Sequence, residues 1–174
     1  MQDARDLIVR PAIAADRAFV LGLVPRLRAF GPSSLRSTDA LDSAERIALE
    51  RAFDALPSDA VLLVAEHVRD GLLGMAYAET EIDYFTRERH GHLAILAVAE
   101  SGEGQGAGRA LLAAVERWAA VLGYRFLTLN VFATNARARA VYERAGYVPD
   151  TVRYAKLLSP HPDPPEPPEQ RSGG

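Results

Sequence analysis

The chain has 174 residues, 48% of them hydrophobic and 25% charged, which is the profile of a globular protein long enough to bury a core. Its net charge of -3 gives no reason to expect nucleic acid or an anionic membrane surface as partner, and no apolar run is long enough to span a bilayer. It contains no cysteine, which removes disulfides, thiolate metal sites and any acyl-cysteine intermediate.

In chain order, the Met1–Asp6 end lacks the apolar stretch of a signal peptide, so a cytoplasmic protein is expected. Leu7 to Arg10 predicts a first strand ahead of Pro11. Asp16 is placed to cap a helix carrying Phe19, Val20, Leu23, Leu27 and Phe30, with Pro25 kinking it or dividing it in two and Gly31-Pro32-Ser33-Ser34 ending it. A second helix is predicted from about Asp39 to Leu56. Val61 to Ala65 reads as a strand buried on both faces. Arg69-Asp70-Gly71 is a hairpin-like turn, and Leu72 to Tyr77 or on to Ile82 the next strand. Tyr84 to Gly91 reads as a charged connection holding His90, followed by a central strand from Leu93 to Ala99.

The central strand runs into Glu100 to Gly108, with glycines at 102, 104, 106 and 108, and then into a helix starting near Arg109 with Leu111, Leu112, Val115, Trp118, Ala119 and Leu122 on one face and Gly123 as its stop. A strand, a glycine loop and a helix N-terminus in that order suit a phosphate or pyrophosphate, because glycine admits close backbone approach and the first helical turn presents unpaired amides at the positive end of the macrodipole. The P-loop pattern fails, since Gly108 is followed by Arg109 and Ala110 and not by Lys and Ser or Thr. A dinucleotide fingerprint would need an acid at the end of the next strand, where Phe126-Leu-Thr-Leu-Asn130-Val supplies none.

Phe126 to Phe132 predicts a strand, Thr134-Asn135 to Ala145 a helix stopped by Gly146, and Tyr147-Val148 and Val152 to Leu158 the last strands. From Ser159 the composition changes: residues 159–174 hold six of the eleven prolines and no large apolar side chain, so a disordered tail is expected. The pattern of elements predicts an α+β (mixed α/β) domain over residues 1–158, with a central twisted mixed sheet of six to seven strands flanked by about four helices.

The segment Asn135-Ala-Arg-Ala-Arg139-Ala-Val-Tyr142-Glu-Arg-Ala-Gly146-Tyr147 puts Asn135, Arg139 and Tyr142 at i, i+4 and i+7, on one polar helix face. Taken alone, this is a capping Asn and a core Tyr. Together with Glu103-Gly-Gln-Gly106-Ala-Gly108 it resembles the GNAT superfamily of acyl-CoA-dependent N-acetyltransferases, over nearly the whole chain except the tail. The resemblance implies that the amides of Gln105, Gly106, Ala107, Gly108 and Arg109 hold the CoA pyrophosphate, beside Glu103 and Gly104. It implies that the backbone of Leu96, Ala97 and Val98 pairs with pantetheine, with a bulge splaying this strand from Phe126–Phe132. It further implies that Asn135 and Arg139 contact the cofactor side, and that Tyr142 protonates the departing thiolate.

Two positions depart from the family pattern. Glu103 stands where Arg or Gln is usual, and Ala94 stands where many relatives carry a Glu base. His92 shares a strand face with Ala94 and has a pKa suited to base work; a solvated strand-start histidine is the competing reading. Glu79, Glu81 or a water relay are further options, and Tyr84, Phe85 and His90 are placed to border the acceptor entrance. The resemblance thus implies an enzyme that moves an acetyl group from acetyl-CoA, without a metal, to a primary amine of a small molecule or peptide by direct attack in a ternary complex. A homodimer is compatible with it. A non-catalytic acyl-CoA-binding sensor of the same fold is the alternative.

Overall fold

A computed structural model describes residues 6–27, 36–156 and 158. One sheet in the order β1-β2-β3-β4-β5 forms its middle layer. Its strands are β1 (Leu7–Pro11), β2 (Val61–His67), β3 (Gly71–Ile82), β4 (Arg89–Val98) and β5 (Leu127–Leu129); β1 to β4 pair antiparallel, and β5 lies parallel to β4. Helices α1 (Arg17–Gly22), α2 (Val24–Leu27) and α3 (Thr38–Asp54) cover one face, where Val20, Val24, Leu49 and Ala52 pack on Leu62, Val64, Met75, Tyr77, Ile95 and Ala97. Helix α4 (Ala107–Val121) covers the other, where Leu111, Leu112 and Val115 pack on Leu63, Ala65, Leu73, Ala76, Ala78 and Leu93. Helix α5 (Ala136–Arg144) follows β5.

The helix divided at Leu23 and Pro25 appears as expected, as α1 and α2; its predicted end at Phe30 to Ser34 lies outside the described residues, as does the tail. Helix α3 begins where the Ser37 hydroxyl accepts from the Ala40 amide at 3.2 Å, with Asp39 in its first turn and Arg51 in its last, the arrangement a helix dipole favours. Asp16 does not cap α1 with its side chain. Its buried carboxylate instead accepts from the Arg10 guanidinium (2.7 and 3.1 Å) and the Ile13 amide (2.8 Å), tying the end of β1 to the start of the helices.

Three sequence expectations are corrected. The sheet has five strands among the described residues and not six to seven, because Tyr147-Val148 and Val152 to Leu158 pair with nothing there; Val152, Tyr154 and Leu158 are each more than 70% exposed, so no burial supports a strand. The strand expected over Phe126–Phe132 pairs only from Leu127 to Leu129. Conversely, β4 starts four residues before Leu93, since the connection expected from Tyr84 to Gly91 contracts to a tight hairpin. There the Asp83 carboxylate accepts from the amides of Phe85 (3.1 Å) and Thr86 (2.7 Å), and the ladder continues as far as Ile82 opposite Arg89. His90 and His92 are therefore buried strand residues.

Gly91 lies between them on the α4 side. A β-carbon there would come 2.8 Å from Leu127 Cδ1 and 3.2 Å from the Trp118 ring, so a side chain at this position would require Leu127 and Trp118 to shift.

Asp16→Ala leaves Arg10 paired with Glu66 alone and takes away the acceptor of the Ile13 amide, and is expected to cost about 1–3 kcal/mol in urea unfolding at neutral pH. Pairing with Arg10 holds the Asp16 carboxyl below its ordinary 3.8. Its stabilisation is therefore present above that value and lost as pH falls through the lower folded-state pKa, so the gap between wild type and Asp16→Asn should narrow below pH 3.8.

Candidate active site

Between Tyr77 (opposite Ile95) and Ala78 (opposite Leu93), β3 faces one residue too many, and Ala94 forms a bulge in β4. A bulge bends its strand and sharpens the local twist. Beyond Leu93 opposite Leu129, β4 and β5 no longer pair. The β4 backbone from Ala94 to Val98 therefore bonds β3 on one side and opens onto a cleft on the other. The cleft has a volume of about 1040 Å³, and Asn130, Val131 and Phe132 form its opposite wall.

The glycine loop closes one end. Gly104 (φ 76°) and Gly106 (φ 82°) take left-handed conformations that strain any residue with a side chain, and a β-carbon on either would project into open space. Gly106 is the N-cap of α4; its carbonyl accepts from Ala110, so the preceding helical amides of Ala107, Gly108 and Arg109 have no intrahelical acceptor. The Gln105 amide instead donates to the Gly102 carbonyl at 3.3 Å, and its side chain to the Ser101 carbonyl at 2.7 Å. A narrow slot with an open strand edge, ending at free amides on a 15-residue helix, has the donor set and the space for a long thioester ending in a diphosphate.

Of the residues singled out in the sequence, Leu96, Ala97, Val98, Glu103, Gly104, Gly106, Ala107, Gly108, Arg109, Asn135 and Tyr142 all line this cleft. Gln105 and Arg139 lie outside its lining; Arg139 bonds the Ala133 carbonyl at 3.4 Å and approaches Glu143. Asn135 both lines the cleft and caps α5, its side-chain oxygen accepting from the Ala138 amide at 3.0 Å. Tyr142 packs edge-on to Tyr147 with ring centres 5.9 Å apart, and burial raises its pKa above the ordinary 10, so its hydroxyl keeps its proton at neutral pH.

Glu103 is not left facing the loop as an isolated acid. Arg137 of α5 bonds it at 2.9 Å, Arg26 of α2 bonds its other oxygen, and Arg26 also reaches Glu100 at 2.9 Å. These guanidiniums, Arg137 foremost, hold the carboxyl below its usual range. The sequence reading missed both arginines, because their meeting at Glu103 depends on bringing α2 and α5 to opposite lips of one cleft.

His92 sits one residue from the cleft walls Leu93 and Ala94, and its Nε2 is 3.4 Å from the amide nitrogen of Asn130, itself a lining residue. Its Nδ1 is 2.8 Å from the Thr128 hydroxyl. Burial lowers its pKa below 6.5; Glu81 and Glu79 pull upwards, and His90 adds to the lowering. The ring is accordingly neutral at pH 7. Glu79 accepts from the Tyr77 hydroxyl at 2.8 Å, and Glu81 lies 3.8 Å from His92. His90 is buried and stacked on Phe126 at 4.7 Å, whereas Tyr84 and Phe85 stand exposed at the hairpin. Among the described residues no group of three His, Asp or Glu side chains could hold a metal ion, and no helix is long and apolar enough to cross a membrane.

The fold recurs in solved structures. A GCN5-related N-acetyltransferase from Ralstonia eutropha shares 21% identity over 87% of this chain and 98% of its own, with a TM-score of 0.67. AAC(6')-Iy, in complex with the bisubstrate analog CoA-S-monomethyl-acetylneamine, shares 21% over 87% and 99%, at 0.62. Glucosamine-6-phosphate N-acetyltransferase from Arabidopsis thaliana shares 14% over 88% and 99%, at 0.62. No curated protein matches by sequence. The acetyltransferase (GNAT) family model matches residues 32–147, two thirds of the chain and the part of the cleft that runs from β4 through α5, and the chain belongs to that family of N-acetyltransferases.

Proposed function

We propose that the protein transfers the acetyl group of acetyl-CoA to a primary amine of a small polar molecule, by direct attack within a ternary complex. The observation that carries this reading is the cleft itself: an unpaired β4 edge, glycine-loop amides at one end, and Tyr142 and His92 near the splayed strands. Two of the similar structures, AAC(6')-Iy with its acetylneamine bisubstrate analog and glucosamine-6-phosphate N-acetyltransferase, support an amine on a small polar acceptor.

Acetyl-CoA supplies the activated thioester. The amides of Gly106, Ala107, Gly108 and Arg109 bind its diphosphate, and the backbone of Leu96, Ala97 and Val98 bonds the pantetheine amides as a further strand would. An acceptor amine with a pKa near that of lysine, about 10.4, arrives mostly protonated. His92, kept neutral by burial, takes its proton through Nε2, directly or across one water, and Glu81 stabilises the resulting imidazolium. The amine nitrogen forms its bond to the carbonyl carbon as the carbon–sulfur bond breaks, the Tyr142 hydroxyl gives a proton to the departing sulfur, and the second proton lost by the nitrogen returns through water to the tyrosinate, so that His92 alone ends the turnover holding a proton to release to solvent.

Turnover can be followed as thiol release against amines such as aminoglycosides, amino sugars and polyamines; a chain without cysteine adds no background. Tyr142→Phe is expected to lower kcat by about 10²-fold or more, the scale of a lost general acid. In the wild type, kcat should fall with acidification only below pH 6.5, because the neutral imidazole is the active form and its pKa is lowered. That limb should vanish in His92→Ala together with most of the rate. Tight CoA binding with no turnover on any amine would overturn the proposal in favour of a binding module. Gly106→Ala forces a side chain into the left-handed region at about 1–2 kcal/mol and aims it at the bound diphosphate, so the KM for acetyl-CoA should rise while the acceptor KM holds.

A further inference from the structure

We infer that Thr128 is a positioning residue that fixes the tautomer of His92, holding its proton on Nδ1 and leaving the Nε2 lone pair toward the cleft. The inference rests on the reading of His92 as the base. It comes from counting donors and acceptors in a buried cluster that the family's acetyl-CoA cleft does not include.

Thr128 stands opposite His92 in the β4–β5 ladder. Its Oγ1 lies 2.8 Å from His92 Nδ1, 3.1 Å from His90 Nε2 and 3.4 Å from the Gly91 carbonyl oxygen. A hydroxyl has one proton to give and two lone pairs to fill. The Gly91 carbonyl can only accept, and an arrangement that gives it the hydroxyl proton and lets both imidazole nitrogens donate to Thr128 satisfies all three contacts at once. Glu81 gives the same answer independently: its Oε2 is 3.8 Å from His92 Nδ1 and 3.9 Å from His90 Nε2, so a carboxylate faces the same two N–H groups.

The far side of the His92 ring agrees. The amide nitrogen of Asn130, a donor, is 3.4 Å from Nε2. With the other tautomer, an N–H would point at that donor while Nδ1 turned a lone pair toward Glu81. The stack on Phe126 holds the His90 ring in place, and the Nδ1 of His90 is buried with no hydrogen-bond partner. The groups facing His92 are thus Glu79 and Glu81 from β3, His90 from its own strand, Thr128 from β5 and Asn130 beyond it. When Nε2 takes a proton, the Nδ1–H bond to Thr128 stays in place and Glu81 is already beside it, so the cluster need not rearrange.

The tautomer is read directly by two-bond 1H–15N correlation spectra of the labelled full chain at pH 8. Only four histidines are present, at 67, 90, 92 and 161, so single variants assign them. The expected spectrum shows His92 protonated at Nδ1 and His90 at Nε2. Thr128→Val keeps the shape and removes the hydroxyl. It should mix the His92 tautomers and lower kcat by about ten- to a hundredfold, part of the ~10²–10⁴ a general base contributes, with the KM for acetyl-CoA unchanged. Thr128→Ser should restore both the tautomer and the rate. A wild-type His92 protonated at Nε2, or a folded Thr128→Val whose tautomer and kcat match wild type, overturns the inference. Full turnover in His92→Ala overturns the base reading instead, and the spectra still decide the tautomer.

Discussion

Between Tyr77 and Ala78, β3 meets one more residue of β4 than it can pair, and Ala94 takes up the excess. The bend that follows carries β4 away from β5 after three paired positions, and every later feature of the site inherits that divergence. The exposed backbone of Ala94–Val98 exists because β5 has left it. Phe132 and Asn135 stand across the gap because the chain leaving β5 must travel round it before α5 can begin. Helix α4, packed on the far face through Leu111, Leu112 and Val115, fixes the glycine loop at the end of the same opening. A sheet paired throughout would leave no room for an extended ligand.

The charges around the cleft divide into two groups with different purposes. On the loop side, Glu103 is held between guanidiniums from α2 and α5, so its charge is offset where a lone carboxylate beside the α4 N-terminus would not be. Where β4 meets β5, two buried imidazoles share the Thr128 hydroxyl and face the Glu81 carboxyl group. Burial sets the resting state of both acid and base candidates: it keeps Tyr142 protonated and His92 deprotonated at neutral pH.

What could be read in the sequence was whatever depends on neighbours in the chain. The glycine loop, the start of α4, the stop at Gly123 and the Asn135 cap are local, and they lie where the residues imply. What could not be read depends on pairing. The short β5, the early start of β4 and the exposure of residues 152–156 follow from a bulge, a six-residue hairpin and the lack of a covering surface among the described residues, none of which has a strong local signature. Thr128 illustrates the boundary: polar between Leu127 and Leu129, it marks a strand with one unusual position, but its importance appears only once register brings it opposite His92. Arg26 and Arg137 are further examples, 111 positions apart in the chain and joined through one carboxylate.

Gly91 touches no part of the cleft, yet its lack of a side chain is what lets Leu127 and Trp118 close over the strand junction. The same residue offers its carbonyl to Thr128 on the reactive side. A side chain introduced there would press on Leu127 and Trp118, directly behind the strand that carries Thr128. A position that looks like ordinary packing from the α4 side is thus tied to the geometry of the His90, His92 and Thr128 cluster on the other.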